Sequence, residues 1–136
     1  MASPLILDSW SVVALFENEM PAAEQVARTM VDARKNKIRL IISTVNAGEI
    51  WYSLARRYSS KDANMVIETL TNSDIEIIPA DWALTHQAAQ FKAIGKISYA
   101  DCFALALAKT LDGEVVTGDP EFKPFERIVK IRWLTR

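Results

Sequence analysis

The chain has 136 residues, a formal net charge of −1 and one cysteine; 50% of its residues are hydrophobic and 24% are charged. Such a chain suits a single domain spanning residues 1–136 with a real core, and is not disordered. The near-zero charge excludes a global field that gathers polyanions, so nucleic-acid contact must rest on local basic groups or a metal. The lone Cys102 excludes an internal disulfide framework and fits a reducing cytoplasm.

Leu5-Ile6-Leu7 is a short apolar run ending at Asp8 and reads as a buried strand. The N-terminus has no basic region and Asp8 interrupts its apolar stretch, so it does not read as a signal peptide. No segment approaches the ~18 apolar residues of a membrane span. Ser9 to Phe16 reads as a short helix. Pro21 opens a second helix, with Ala23, Val26, Ala27, Met30 and Val31 at helical spacing, closed by Arg34, Lys35 and Lys37.

Leu40 to Ile42 is the second strand, and Ser43 or Thr44 caps a helix reaching about Tyr58. Asp62 starts a further helix, and Ile75 to Ile78 is a third strand stopped by Pro79. Asp81 caps a helix that ends at Gly95, and Ser98 begins one that is apolar all round from Cys102 to Ala108. Val115 to Thr117 is the fourth strand, Gly118-Asp119-Pro120 a turn, and Ile128 to Ile131 a fifth strand. Short apolar strands separated by helices predict an α/β fold: a three-layer α/β/α sandwich around a short, mostly parallel sheet.

In such a fold, strand C-ends and helix N-ends share one edge, and ligands bind there. Asp8, Glu49, Asp101 and Asp119 all fall at that edge. Crowded carboxylates repel, at about 3 kcal/mol per pair for a separation of ~5 Å and an effective dielectric of ~20. A divalent cation makes the cluster tolerable, and ligands that are all oxygen favour Mg²⁺ or Mn²⁺ over zinc. Each acid alone also has a plain structural reading. Asp8 and Asp119 read as helix caps, Asp101 as part of a capping box with Ser98, and Glu49 as a solvated residue opposite its helix's apolar stripe. Asp81 reaches the same edge by the same topology, so geometry alone offers five acids and does not choose four.

Four segments together resemble the PIN-domain family, in particular the VapC-type toxin ribonucleases. They are LILDSWSVVALF, STVNAGEIWYSLAR, ISYADCFALALAKTL and VVTGDPEFK. The resemblance implies an Mg²⁺- or Mn²⁺-dependent endoribonuclease, with Asp8, Glu49, Asp101 and Asp119 as ligands or water activators. It implies a supporting hydroxyl at Thr117 and an extra carboxylate at Glu121. It also implies a homodimer and a small antitoxin protein that covers the groove. Asp81 matches no acid of the family and is left as a cap.

The competing reading is a binding or regulatory module without nuclease activity, either PIN-like or receiver-like. A receiver would place paired acids after the first strand and a lysine at a late strand end. This chain has a single acid, Asp8, and Thr117-Gly118-Asp119 instead.

Overall fold

The computed structural model describes residues 2–135. Among them, five strands form one parallel sheet in the order β3-β2-β1-β4-β5. The strands are β1 (Leu5–Leu7), β2 (Leu40–Ser43), β3 (Glu76–Ile78), β4 (Glu114–Thr117) and β5 (Lys130–Trp133). The helices are α1 (Ser9–Phe16), α2 (Ala22–Lys35), α3 (Thr44–Arg57), α4 (Ser60–Thr71), α5 (Trp82–Ile94) and α6 (Tyr99–Leu111), and a 3-10 turn spans Pro120–Phe125.

Alternation along the strands builds the three layers. Ile6, Ile41 and Val115 face the layer of α5, α6 and the 3-10 turn, where Phe103, Leu105 and Phe122 are buried. Leu5, Leu7, Leu40, Ile42 and Val116 face α1 to α4, meeting Val12, Val26, Ile50, Leu54 and Leu70. Both faces of β1 are therefore core. Each of its three side chains removed from water contributes about 1.5–3 kcal/mol.

Several boundaries differ from the sequence expectation. β5 begins at Lys130 rather than Ile128, because the N–H groups of Ile128 and Val129 both donate to the carbonyl of Phe125, prolonging the turn. Val129 is buried while Ile128 is exposed, so the apolar pair straddles a turn and does not start a strand. α4 begins at Ser60 because Ser59, not Asp62, is the cap; its hydroxyl accepts from the Asp62 N–H. Two aromatic residues of the α3 segment, Trp51 and Tyr58, are exposed. Trp51 donates to Asn64 of α4, and Tyr58 donates to Glu17 beyond α1.

The largest departure concerns Asp81. The β3–β4 crossover contains two helices packed against each other as a hairpin. Ala80 still meets Thr44 at the strand ends, but α5 then starts beside Leu107, Thr110 and Leu111 at the far end of α6. Asp81 caps α5 by accepting from the Leu84 N–H at 2.9 Å. About 15 Å of helix thus separates it from the end of α6 that carries Asp101. The first two crossovers also hold two helices, yet α1 and α3 start directly after their strands; here three residues, Pro79 to Asp81, separate β3 from α5 and let it start against the end of α6.

The sheet order also disfavours the receiver-like arrangement. In this chain β1 lies between β2 and β4, whereas receiver-like sheets run 2-1-3-4-5.

Candidate metal centre

The chain proceeds from β1 outward to β3, then returns to the other side of β1 with β4. The crevice that such a reversal opens at the strand C-ends lies between β1 and β4. Asp8 follows β1 directly, and Asp119 follows β4 after Gly118. The first turn of α6 brings Asp101 to the same place, because Ser98 caps that helix and accepts from the Asp101 N–H at 3.2 Å.

Carboxylate oxygens of Asp101, Asp119 and Glu121 lie within 4.8 Å of one another. Glu121 reaches the trio because Asp119 caps the 3-10 turn, its Oδ1 accepting from the Glu121 N–H at 2.9 Å. Neither Asp8 nor Glu49 belongs to that converging set. Glu49 is half-buried and lines the same 350 Å³ cavity as Asp101, Asp119 and Glu121. Asp8 sits behind them, fully buried.

Asp8 is held by a chain of hydrogen bonds. Its Oδ1 accepts from the Ser11 N–H at 2.8 Å, which caps α1. Its Oδ2 accepts from the Thr117 hydroxyl at 2.5 Å, and Thr117 Oγ1 in turn accepts from the Asp119 N–H at 3.0 Å. The buried Thr117 thereby fixes the spacing of the two acids that end β1 and follow β4. The capping readings of Asp8 and Asp119 are thus correct for one oxygen of each; the other oxygen of Asp8 takes the Thr117 hydroxyl, and that of Asp119 is left for a second task.

Burial pushes the Asp8 carboxyl up to about 7, against the lowering effect of its bonds to Thr117 and Ser11, and with a further push from Asp119. Burial pushes Asp101 up to about 8, and the charges of Asp8, Asp119 and Glu49 add to it. Glu121 is raised as well, by burial and then by Asp119. Without a cation, Asp8 and Asp101 would therefore hold protons near neutral pH.

The cavity lining has one cationic side chain among the described residues, Arg57, and Glu17 already holds it at 2.7 Å. The Lys92 ammonium, which donates to the Ile97 carbonyl at 2.6 Å, is felt by Glu121 but does not line the cavity, so the converging oxygens face one another without an ion-pair partner there. An all-oxygen set of this charge fits Mg²⁺ or Mn²⁺, with Asp101, Asp119 and Glu121 as the residues placed to hold the ion.

Asn46 was not singled out in the sequence, and it is buried at the centre of this region. An asparagine two residues into a helix reads as one more capping residue, so nothing in its sequence position set it apart. Nothing in the sequence marks Trp10 for the site. It forms a wall of the cavity, and a Cβ on Gly118 would come within 2.4 Å of its ring.

These features define a parallel α/β protein with a carboxylate cluster at the β1–β4 switch point. Residues 5–128 match the PIN domain family, and the chain belongs to that family. By sequence, no curated protein matches it. Solved structures share its fold. The sarcin–ricin-loop-cleaving VapC toxin of Mycobacterium tuberculosis is 16% identical, with a TM-score of 0.72, over 88% of this chain and 93% of that one. The VapBC2 assembly of Rickettsia felis, bound to a promoter DNA fragment, is 16% identical, with a TM-score of 0.73, over 96% and 98%. DNA-bound VapBC of Salmonella typhimurium is 19% identical, with a TM-score of 0.69, over 97% and 98%.

Proposed function

We propose that this chain is a metal-dependent endoribonuclease and the toxin of a toxin–antitoxin pair. The observation that carries the proposal is the convergence of Asp101, Asp119 and Glu121 within 4.8 Å at the switch point, with Glu49 lining the same cavity and Asp8 buried behind it, close enough to act on Asp101. Membership of the PIN family, and a fold shared with VapC and VapBC proteins, support the same reading.

In this reading Asp8, Glu49, Asp101 and Asp119 are the acids of the site, and Glu121 adds a fifth carboxylate. A bound Mg²⁺ or Mn²⁺ supplies a polarised water and offsets charge on the scissile phosphodiester. The residues around it set position and protonation. Thr117 keeps Asp8 and Asp119 at fixed spacing. A cation held there would favour the charged forms of Asp101 and Asp8, because an adjacent positive charge lowers their affinity for protons. Glu49, which lines the same cavity, is the acid assigned to accept a proton from an attacking water. Trp10 closes the groove on the α1 side.

The expected partners are an RNA substrate, a small antitoxin protein over the groove, and a second copy of the chain in a homodimer; the expected location is cytoplasmic. No helix among the described residues is long and apolar enough to cross a membrane. The whole chain is read as one nuclease domain.

The test is cleavage of a structured RNA pool by the purified protein in Mg²⁺, Mn²⁺ or EDTA, beside Asp8→Asn and Asp101→Asn. Cleavage that needs the metal and is lost in both variants is the expected result. Cleavage that persists unchanged in both variants rejects the assigned site.

A further inference from the structure

We propose that Asn46 is a positioning residue for the metal centre, holding in register the three helix starts that present Asp8, Glu49 and Asp101. The inference rests on the metal-nuclease reading above and names a residue that does not itself touch the ion.

Asn46 is fully buried at the start of α3, and every polar group it has is engaged. Its backbone N–H donates to Ser43 Oγ at 3.0 Å, and its Oδ1 accepts from the Ser43 hydroxyl at 2.7 Å. Its Nδ2 donates to Ser9 Oγ at 3.1 Å and to the Ala100 carbonyl at 3.2 Å. Its own carbonyl accepts from the Ser9 hydroxyl at 3.2 Å.

Each of these partners adjoins a piece of the site. Ser9 follows Asp8, Ala100 precedes Asp101, and Glu49 lies one turn along α3 from Asn46 itself. The two donors of one amide therefore span the N-termini of α1 and α6, segments more than fifty residues apart in the chain. Asp119 is the remaining acid of the four, and it hangs from Asp8 through Thr117. One network sets Asp8, Glu49 and Asp101 relative to one another, and the other adds Asp119.

Alternative roles are weaker. A cap for α3 needs only Ser43, which already accepts from the Asn46 N–H. Filling the space needs only an apolar side chain of similar size. Neither accounts for an amide whose two donors go to two other helices.

The measurement is isothermal titration of Mn²⁺ into the full chain, at a temperature where every variant is folded. Asn46→Ala should weaken Mn²⁺ by about 10-fold, the low end of the loss when a direct partner of a metal ligand is removed, because Asn46 holds residues beside the acids and not their carboxylates. Leu70→Ala, a buried change in α4 away from the cavity, should lower the melting temperature and keep wild-type Mn²⁺ affinity. If Asn46→Ala binds Mn²⁺ as the wild type does, the proposal is overturned while the metal-centre reading stands. If the wild type takes up no Mn²⁺, that reading fails and takes this inference with it. Should Asn46→Ala not fold, Ser9→Ala decides the matter, since it keeps the amide and the Ser43 cap of α3 and removes one of the two links from Asn46 to another helix. Weakened Mn²⁺ then upholds the proposal, and unchanged affinity overturns it.

Discussion

Two ends of the same sheet treat acidic side chains in opposite ways. At the C-terminal edge, Asp8 and Asp101 are buried, near one another, and without a cationic partner. At the N-terminal edge, Glu76 meets Arg39 through two hydrogen bonds of 2.8 and 2.9 Å, and Asp74 meets Arg34 at 2.6 Å, all in contact with water. The protonation shifts follow: burial raises Asp8 and Asp101, whereas the Arg39 bond lowers Glu76. The larger cavity, 580 Å³ and mostly apolar, is at the edge of the paired charges, and the 350 Å³ cavity holds the unpaired ones. Cavity size is therefore a poor guide to chemistry here. Buried acids without a cationic partner are the better guide, because ionising them costs stability unless a ligand offsets the charge.

The sharpest way to break this contrast is to remove an acid from the C-terminal edge. Asp101→Asn should lower metal-dependent RNA cleavage by more than the roughly 100-fold upper range typical of outer-shell losses. Initial rates on a fixed RNA pool measure it.

Metal linkage comes next in size. Mg²⁺ at about a hundred times its dissociation constant should stabilise the fold by about 2.7 kcal/mol, since it binds the native cluster only. Melts with and without the ion should show the gain in the wild type and little of it in Asp119→Asn.

The pH dependence has a definite sign. Asp8 and Asp101 have folded values of about 7 and about 8, above the ordinary value of 3.8. Between pH ~4 and ~8 the unfolded chain has released protons that the metal-free native state still holds, so native stability falls as pH rises through that window. Urea midpoints for metal-free protein should drop from pH 5 to pH 8, and Asp8→Asn should flatten the curve.

The smallest effect belongs to the other edge. Glu76→Gln should change stability by no more than about 1 kcal/mol, because exposed ion pairs are screened, and should leave Mg²⁺ stabilisation intact.

The layers were legible because each strand is an apolar run bounded by a polar residue, as in Leu5 to Asp8 and Val115 to Thr117. Residues that end strands or open helices were legible as neighbours at one edge for the same reason. What eluded the sequence depends on three-dimensional detail. Whether Asp81 joins the other acids turns on which end of α6 the start of α5 packs against, and periodicity does not show that. Whether Glu121 joins the trio turns on the tightness of a 3-10 turn. Asn46 has the same local signature whether its amide faces water or two other helices. Ile128 looked like strand because an apolar pair has no period of its own.

Gly113 sits at the opposite end of β4 from the acids, where a Cβ would come within 2.6 Å of the Pro4 carbonyl oxygen. That same carbonyl accepts from the Glu114 N–H at 3.0 Å and sets the pairing of Leu5 with Glu114. The two strands are thus indexed at their origin, and Asp8 lies one short strand, roughly 10 Å, further along. Strands this short have few rungs with which to correct a displaced start. Any side chain at Gly113 would slide the ruler from its zero mark, and the loss would be read at Asp8, where no residue had changed.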